Sequence, residues 1–220
     1  MRGIELPSEL PGDLASALGN SVELQQPPLL PELRLWLISG HVDLNAHCEE
    51  LMRGSYAPYW AVCWGAGQAL ARYVLDHPSR VRGKVVVDFG AGSAVVALAA
   101  AKAGAALAIA VDNDPLSCRI AVANAASNRL AIEIRTELPA HYELLLAADV
   151  LYDAEATRAV LEAAASGAEV LVSDPHRQGA ARLQDAPIAT LAATAFPDVD
   201  YPICTAFIHE LPRTTPRALS

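Results

Sequence analysis

Residues 84–114 read KVVVDFGAGSAVVALAAAKAGAALAIAVDND: an apolar run, an acid followed by a glycine loop, an alanine-rich stretch, a second apolar run and an acidic tip. That order predicts strand, loop, helix and strand, and it builds a pocket for a nucleotide-like ligand. Gly90 and Gly92 allow the backbone to approach a ligand closely, and the helix that follows aims its first amides at the loop. Asp112 ends the second run about 20 residues after Gly90, the offset of a ribose-binding carboxylate.

The loop leaves three readings open. A dinucleotide fingerprint G-x-G-x-x-G requires glycine at 95, where the chain has Val95. An acid before the first of only two close-approach glycines is the arrangement of the S-adenosylmethionine (SAM) loop of Rossmann-like methyltransferases. On that reading Asp88 sits near the methionine ammonium, and the amides of Gly90, Ala91 and Gly92 near the carboxylate or ribose. The third reading is a strand-to-helix turn without a ligand. Asp112 and Asn113 belong to the cofactor set on the second reading; as a helix cap Asp112 competes with Asp114, which immediately precedes Pro115 and fits the cap better.

Outward from this stretch the alternation is regular. Strands are expected at 84–89, 107–112, 131–135, 143–149 and 168–173, with helices at 93–104, 115–128, 153–166 and near 178–185. Apolar runs at 187–196 and 202–211 predict a closing antiparallel hairpin at the sheet edge. On the other side, GAGQALARYVLDHP (65–78) has helical spacing and stops before Pro78. LPELRLWLIS (30–39) reads as a brief helix or strand. Residues 1–31 are proline-rich and read as an irregular arm without a preformed core, with one weak helix near Gly12–Leu18. The expected division is an N-terminal extension, 1–55, and an α/β domain, 56–220.

The 220 residues are 53% hydrophobic, enough to build one core. A net charge of -9 argues against a surface that tracks phosphates, so a protein or small-molecule substrate is favoured over nucleic acid. The four cysteines have no C-x-x-C pairing or metal-ligand spacing, which fits a reduced, cytoplasmic compartment and no metal site. The sequence offers no span expected to cross a membrane.

AADVLYD (147–153) ends the fourth strand, where ligands of open α/β sheets collect, and puts Asp149 and Tyr152 at the pocket mouth. Asp153 is the natural cap of the next helix; Asp149 is either a functional acid or a strand-end solubilising one. Methyltransferases that act on nucleic-acid bases carry a D/N-P-P-Y turn here, and Val150 and Leu151 replace both prolines.

Four segments together resemble the seven-beta-strand, SAM-dependent protein lysine methyltransferases, within them the branch that modifies the beta subunit of electron transfer flavoprotein. PYWAVCWGAGQALARYVLDHPSRVRGK (58–84) is similar to that family's PYWAxxWPGGQALARYLLDNPxxVRGK, DFGAGSA to its SAM loop, DVLYD to its D-x-x-Y motif, and SDPHR (173–177) to its GDPGR turn. The resemblance implies a Rossmann-like seven-stranded sheet with helices on both faces and SAM as cofactor. It also implies Trp64 packed beside SAM, Asp149 and Tyr152 facing the lysine, with Asp149 also near the cofactor, and a protein substrate. Trp60 and Trp64 read without it as a core pair, and Cys63 as packing. Methylation of a small molecule and a non-catalytic SAM-binding scaffold are the competing functions.

Three positions depart from the family pattern: Gly65-Ala66 for Pro-Gly, Ala94 for the third glycine, and His176 for the glycine of GDPGR. The connection Thr136–Tyr142 is too short for a helical crossover. Extended, it reaches about 23–25 Å, against about 22 Å needed to pass two strands and return. It leaves Glu137 as the nearby acid for an adenine-side contact.

Overall fold

The computed structural model describes residues 10–40, 58–175, 183, 185–197 and 204–212. His176 lies outside them, as does nearly all of the helix expected near 178–185. Seven strands form one mixed sheet: β3 (Val85–Phe89), β4 (Leu107–Val111), β5 (Glu133–Arg135), β6 (Leu144–Ala148), β7 (Glu169–Asp174), β8 (Ala189–Ala193) and β9 (Cys204–Glu210). Their order is β5-β4-β3-β6-β7-β9-β8. The first five are parallel; β9 runs antiparallel to both β7 and β8, giving the edge pairing expected from the two apolar C-terminal runs.

Central strands such as LLLAA of β6 are apolar at every position because both faces are covered. On one face lie α2 (Gly65–Asp76), α3 (Val95–Lys102) and α4 (Pro115–Asn128). Alanines in α3 make this layer thin: Ala97, Ala99 and Ala100 are fully buried. On the other face α5 (Ala154–Ala165) covers Leu145, Ala147, Val170 and Val172. Beside it the short Thr136–Tyr142 link crosses from β5 to β6. Leu138 and Tyr142 of this link pack on Val87, Ile109 and Val111, doing with two side chains what a crossover helix does elsewhere.

The N-terminal segment differs from the irregular arm expected of it. After α1 (Gly12–Leu18), β1 (Val22–Gln25) and β2 (Leu35–Ile38) pair as an antiparallel ribbon. Leu14, Leu18, Val22, Trp36 and Ile38 are buried with Trp60, Val62, Ile120 and Ala123, so this segment does contribute core. The physical reason is a polar rail on α4. Asn124 Oδ1 accepts the Trp36 amide at 2.6 Å, Asn128 Oδ1 accepts the Arg34 amide at 2.9 Å, and Asn128 Nδ2 donates to the Arg34 carbonyl at 2.6 Å. Backbone groups at the ribbon's edge thereby find partners that no neighbouring strand supplies.

Candidate functional site

The glycine loop begins where β3 ends. Gly90 and Gly92 have φ of 70° and 51°, and a Cβ on Gly90 would stand 2.7 Å from Val150 Cγ1. Close approach of the β6 turn therefore requires glycine at 90. Ala94, where the family has its third glycine, also sits in the left-handed region, with φ 61° and ψ 25°, and is fully buried. A left-handed alanine costs about 1–2 kcal/mol, so this loop takes a conformation that glycine would adopt without that penalty.

Each turn of the loop is tied to another element. The Gly90 and Ala91 amides both donate to the Val111 carbonyl, at 2.9 and 3.0 Å. Asp112 Oδ2 accepts the Gly92 amide at 2.7 Å, and its Oδ1 accepts the Asp114 amide at 2.9 Å. These amides, expected to face a ligand, hold the loop against the end of β4 instead. Ser117 Oγ donates to the Gly92 carbonyl at 2.8 Å, and Asn124 Nδ2 to the Ser93 carbonyl at 2.9 Å. Asn124 thus joins the loop to the N-terminal ribbon. Asp114 caps α4 through the Leu116 amide, leaving the cap role to it rather than to Asp112.

Asp88 is buried beneath the loop and accepts the Ala97 amide at 2.9 Å. Desolvation pushes its carboxyl up to about 8, against the lowering by that hydrogen bond, and the nearby Asp112 adds to the rise. Through that hydrogen bond it anchors the start of α3.

Asp149 follows β6 with a φ of 55° and donates its amide to the Ser173 carbonyl at 2.9 Å. A non-glycine residue in this region is uncommon outside turns and functional sites. Asp153 caps α5 through the Ala156 amide at 2.7 Å, as its position in the sequence predicts. Tyr152 between them is exposed. Burial of its phenol, then the neighbouring Tyr59, Asp149, Asp153 and Asp112, push that group above the usual tyrosine range. Trp64 occupies the position just before α2 and donates from Nε1 to the Tyr59 carbonyl at 2.9 Å. Trp60 is a fully buried core residue in the short 3-10 turn Tyr59–Ala61, and so does not form a helix-face pair with Trp64. Cys63 is buried packing, its thiol pushed up by desolvation.

Tyr59 was not among the residues singled out in the sequence. Its ring lies 6.2 Å from that of Tyr152 and 6.3 Å from that of Trp64, measured between centroids. The signal available was an aromatic directly after Pro58 in a segment already matched to the family.

Glu137 and Asn113 are exposed. Glu137 lines a hollow of about 520 Å³ with Cys118, Arg135, Thr136 and Leu138. This hollow adjoins Asp112, whose carbonyl accepts from Cys118 Sγ at 3.3 Å and whose amide donates to the Arg135 carbonyl at 3.1 Å. A larger hollow of about 690 Å³ lies at the other end of the strands. There Glu169 is neutralised by Lys84 at 2.7 Å and Arg80 at 2.6 Å, so its charges hold the fold together.

The donor set fits SAM. Each Asp112 oxygen has accepted one amide and retains a lone pair for a ribose hydroxyl; the hollow beside it has room for a base, and the acids around it suit a sulfonium. Among the described residues no cluster of His, Cys, Asp and Glu could hold a metal ion, and no helix is long and apolar enough to cross a membrane.

Comparison with known proteins agrees with this chemistry. A family profile described as ribosomal protein L11 methyltransferase (PrmA) matches residues 68–160. The electron transfer flavoprotein beta subunit lysine methyltransferase of Xenopus laevis is 34% identical over 167 residues, 70% of this chain and 67% of that protein. Its Homo sapiens counterpart is 36% identical over 137 residues, 60% of this chain; the match spans only 48% of the human protein's length. Among solved structures, one from Streptococcus mutans described as a SAM-dependent methyltransferase superposes with a TM-score of 0.53 at 11% identity, covering 96% of this chain and 57% of that one. A Pyrococcus horikoshii structure described as an RNA methyltransferase gives 0.55 at 18% identity, covering 68% and 85%. At such identities the structures share the fold alone. With the sheet order, the glycine loop and the D-x-x-Y turn in place, the extent of the frog match is decisive: the chain belongs to the family of electron transfer flavoprotein beta subunit lysine methyltransferases.

Proposed function

We propose that the protein transfers a methyl group from SAM to a lysine side chain of a protein, with the beta subunit of electron transfer flavoprotein as the acceptor. The observation that carries this reading is a juxtaposition at the carboxyl ends of three adjacent strands. Asp88 lies near the end of β3 and Gly90 to Gly92 follow it, Asp112 follows β4, and Asp149 and Tyr152 follow β6.

SAM supplies an electrophilic methyl on a cationic sulfur. Asp112 would hold the ribose, the backbone from Gly90 to Gly92 would line the approach, and Asn113 and Glu137 would flank the base. Asp88, at the end of β3 beneath the loop, would sit near the methionine ammonium, directly or through water, while its bond to the Ala97 amide holds the start of α3. Trp64 would pack near the cofactor, and Asp149 would meet both cofactor and acceptor.

A free lysine has a pKa of about 10.4, so the amine must lose a proton before it attacks. Asp149 stabilises the ammonium form, which suits capture and orientation rather than strong base catalysis. The phenol of Tyr152 stays protonated at neutral pH and offers a hydroxyl donor and a ring face to the cation. Holding the amine in line with the methyl supplies the main rate gain.

The acids around the mouth, Asp112, Asp149 and Asp153, repel phosphate and favour a cationic side chain, which supports a protein acceptor over nucleic acid. We read residues 1–55 as an N-terminal extension and 56–220 as the methyltransferase domain; of the extension, the ribbon within residues 10–40 packs on α4. The spacing of the four cysteines in the sequence, without a C-x-x-C pair, supports a cytoplasmic setting.

Incubation with labelled SAM and a cell lysate tests the reading. Label enters a protein with the wild type and falls at least tenfold with Asp149→Ala. Label confined to small molecules, or equal labelling by the variant, contradicts it.

A further inference from the structure

The Pro58–Trp64 segment is built to keep one ring outside. Its 3-10 turn buries Trp60 and Ala61, which leaves Tyr59 pointing away from the core, 55% exposed. The turn is pinned at both ends of its exit. Trp64 Nε1 donates to the Tyr59 carbonyl at 2.9 Å, while Cys63 exchanges backbone hydrogen bonds of 2.7 and 3.0 Å with Phe196. These bonds fix the backbone from which the Tyr59 ring projects.

Tyr152, 59% exposed, reaches the same place from the end of β6. Among the described residues the other exposed large apolar side chains, Leu107, Val122 and Ile188, come from separate elements. Only the two tyrosines form a pair. Their planes are inclined at 58°, and Trp64 stands at 62° to Tyr59. Tilted rings of this kind expose negative faces along a shared opening. Asp149, Asp153 and Asp112 lie close enough to act on Tyr152 electrostatically, so ring faces and carboxylates bias the opening toward a cation. A long aliphatic chain ending in an ammonium complements both components, since its methylenes cover ring surface while its head meets the acids.

We propose that Tyr59 is a substrate-positioning residue: with Trp64 and Tyr152 it forms an aromatic mouth that receives the target lysine and delivers its amine to Asp149. The proposal rests on the lysine methyltransferase reading. It assigns to Tyr59 the capture of the acceptor and no part in holding SAM. Its ring, not its hydroxyl, makes the contact.

Steady-state methylation of purified electron transfer flavoprotein beta subunit by the full chain tests it, with SAM affinity measured separately by calorimetry. Tyr59→Ala raises the KM for the acceptor about tenfold, the scale of one partly desolvated cation–ring contact. SAM affinity and kcat stay within about twofold, and Tyr59→Phe restores the wild-type KM. An acceptor KM unchanged in Tyr59→Ala overturns the proposal and leaves the lysine reading standing. So does an equal loss of SAM affinity, which reports displacement of Trp64, or a failure of Tyr59→Phe to rescue. A wild type that labels no protein overturns the lysine reading, and the positioning role with it.

Discussion

Around the glycine loop each turn of backbone has a partner from elsewhere: Val111, Asp112, Ser117 and Asn124 all hold it. The Thr136–Tyr142 link on the opposite wall is held chiefly by two side chains, Leu138 and Tyr142, resting on the sheet. Both border the same site, but one is fixed by directional bonds and the other by half-buried apolar contact. The near wall presents a preorganised shape to the constant part of the ligand. The far wall replaces a helix with a thin strap, so it contributes surface rather than rigidity.

The largest break in this comparison comes from Asn124. Asn124→Ala leaves the Trp36 amide and the Ser93 carbonyl without their partners in a buried setting, at about 1–3 kcal/mol each. Denaturant unfolding is expected to show a loss of about 2–6 kcal/mol. Tyr142→Ala removes a half-buried ring and should cost only about 1–2 kcal/mol, less than the truncation of a fully buried aromatic. If the order of the two losses is reversed, the strap is the better-held wall.

Asp88 sharpens the picture through pH. Its folded-state value of about 8 lies above the ordinary 3.8, so the native state binds the extra proton across that interval. Its contribution is complete below the unfolded value and is lost as pH rises toward 8. Asp88→Asn removes this falling component, so the variant should gain stability relative to wild type steadily from about pH 4 to pH 8. Chemical unfolding across that range checks it. A difference independent of pH means that Asp88 is ionised in the folded protein.

The near wall was readable because glycine, acid and strand periodicity are local signals. Asp88, Gly90, Gly92 and Asp112 stand within one β-α-β unit, and their order nearly dictates the backbone. The seven strands followed from apolar runs for the same reason, and the edge hairpin from two such runs close together. The N-terminal ribbon was obscured because VELQ is a short strand with two polar residues, and the asparagines that complete its edge lie about 90 residues away on α4. Tyr59 was hidden by its neighbours. Trp60 beside it is core, and only the 3-10 turn separates the inward ring from the outward one. The amides of the glycine loop show the converse: the motif located them, while their partners in the folded chain depend on how β4 ends.

The family departures also have structural content. A Cβ at Gly65 would stand 2.6 Å from Cys204 Sγ and 3.3 Å from the Ala193 carbonyl, so β8 and β9 occupy the room that a proline ring would need. At Ala94 the backbone keeps the glycine conformation with a methyl group added. Small residues at both places let α2 and α3 lie close to the sheet and to the site.

The central claim is lysine methylation at the junction of the two walls. Its most direct test is mass spectrometry of purified electron transfer flavoprotein beta subunit after incubation with this protein and SAM. The account predicts methyl groups localised to lysine side chains and absent when Asp149→Ala replaces the wild type. An unmodified beta subunit in the presence of bound SAM, or methylation confined to other residue types, would contradict it.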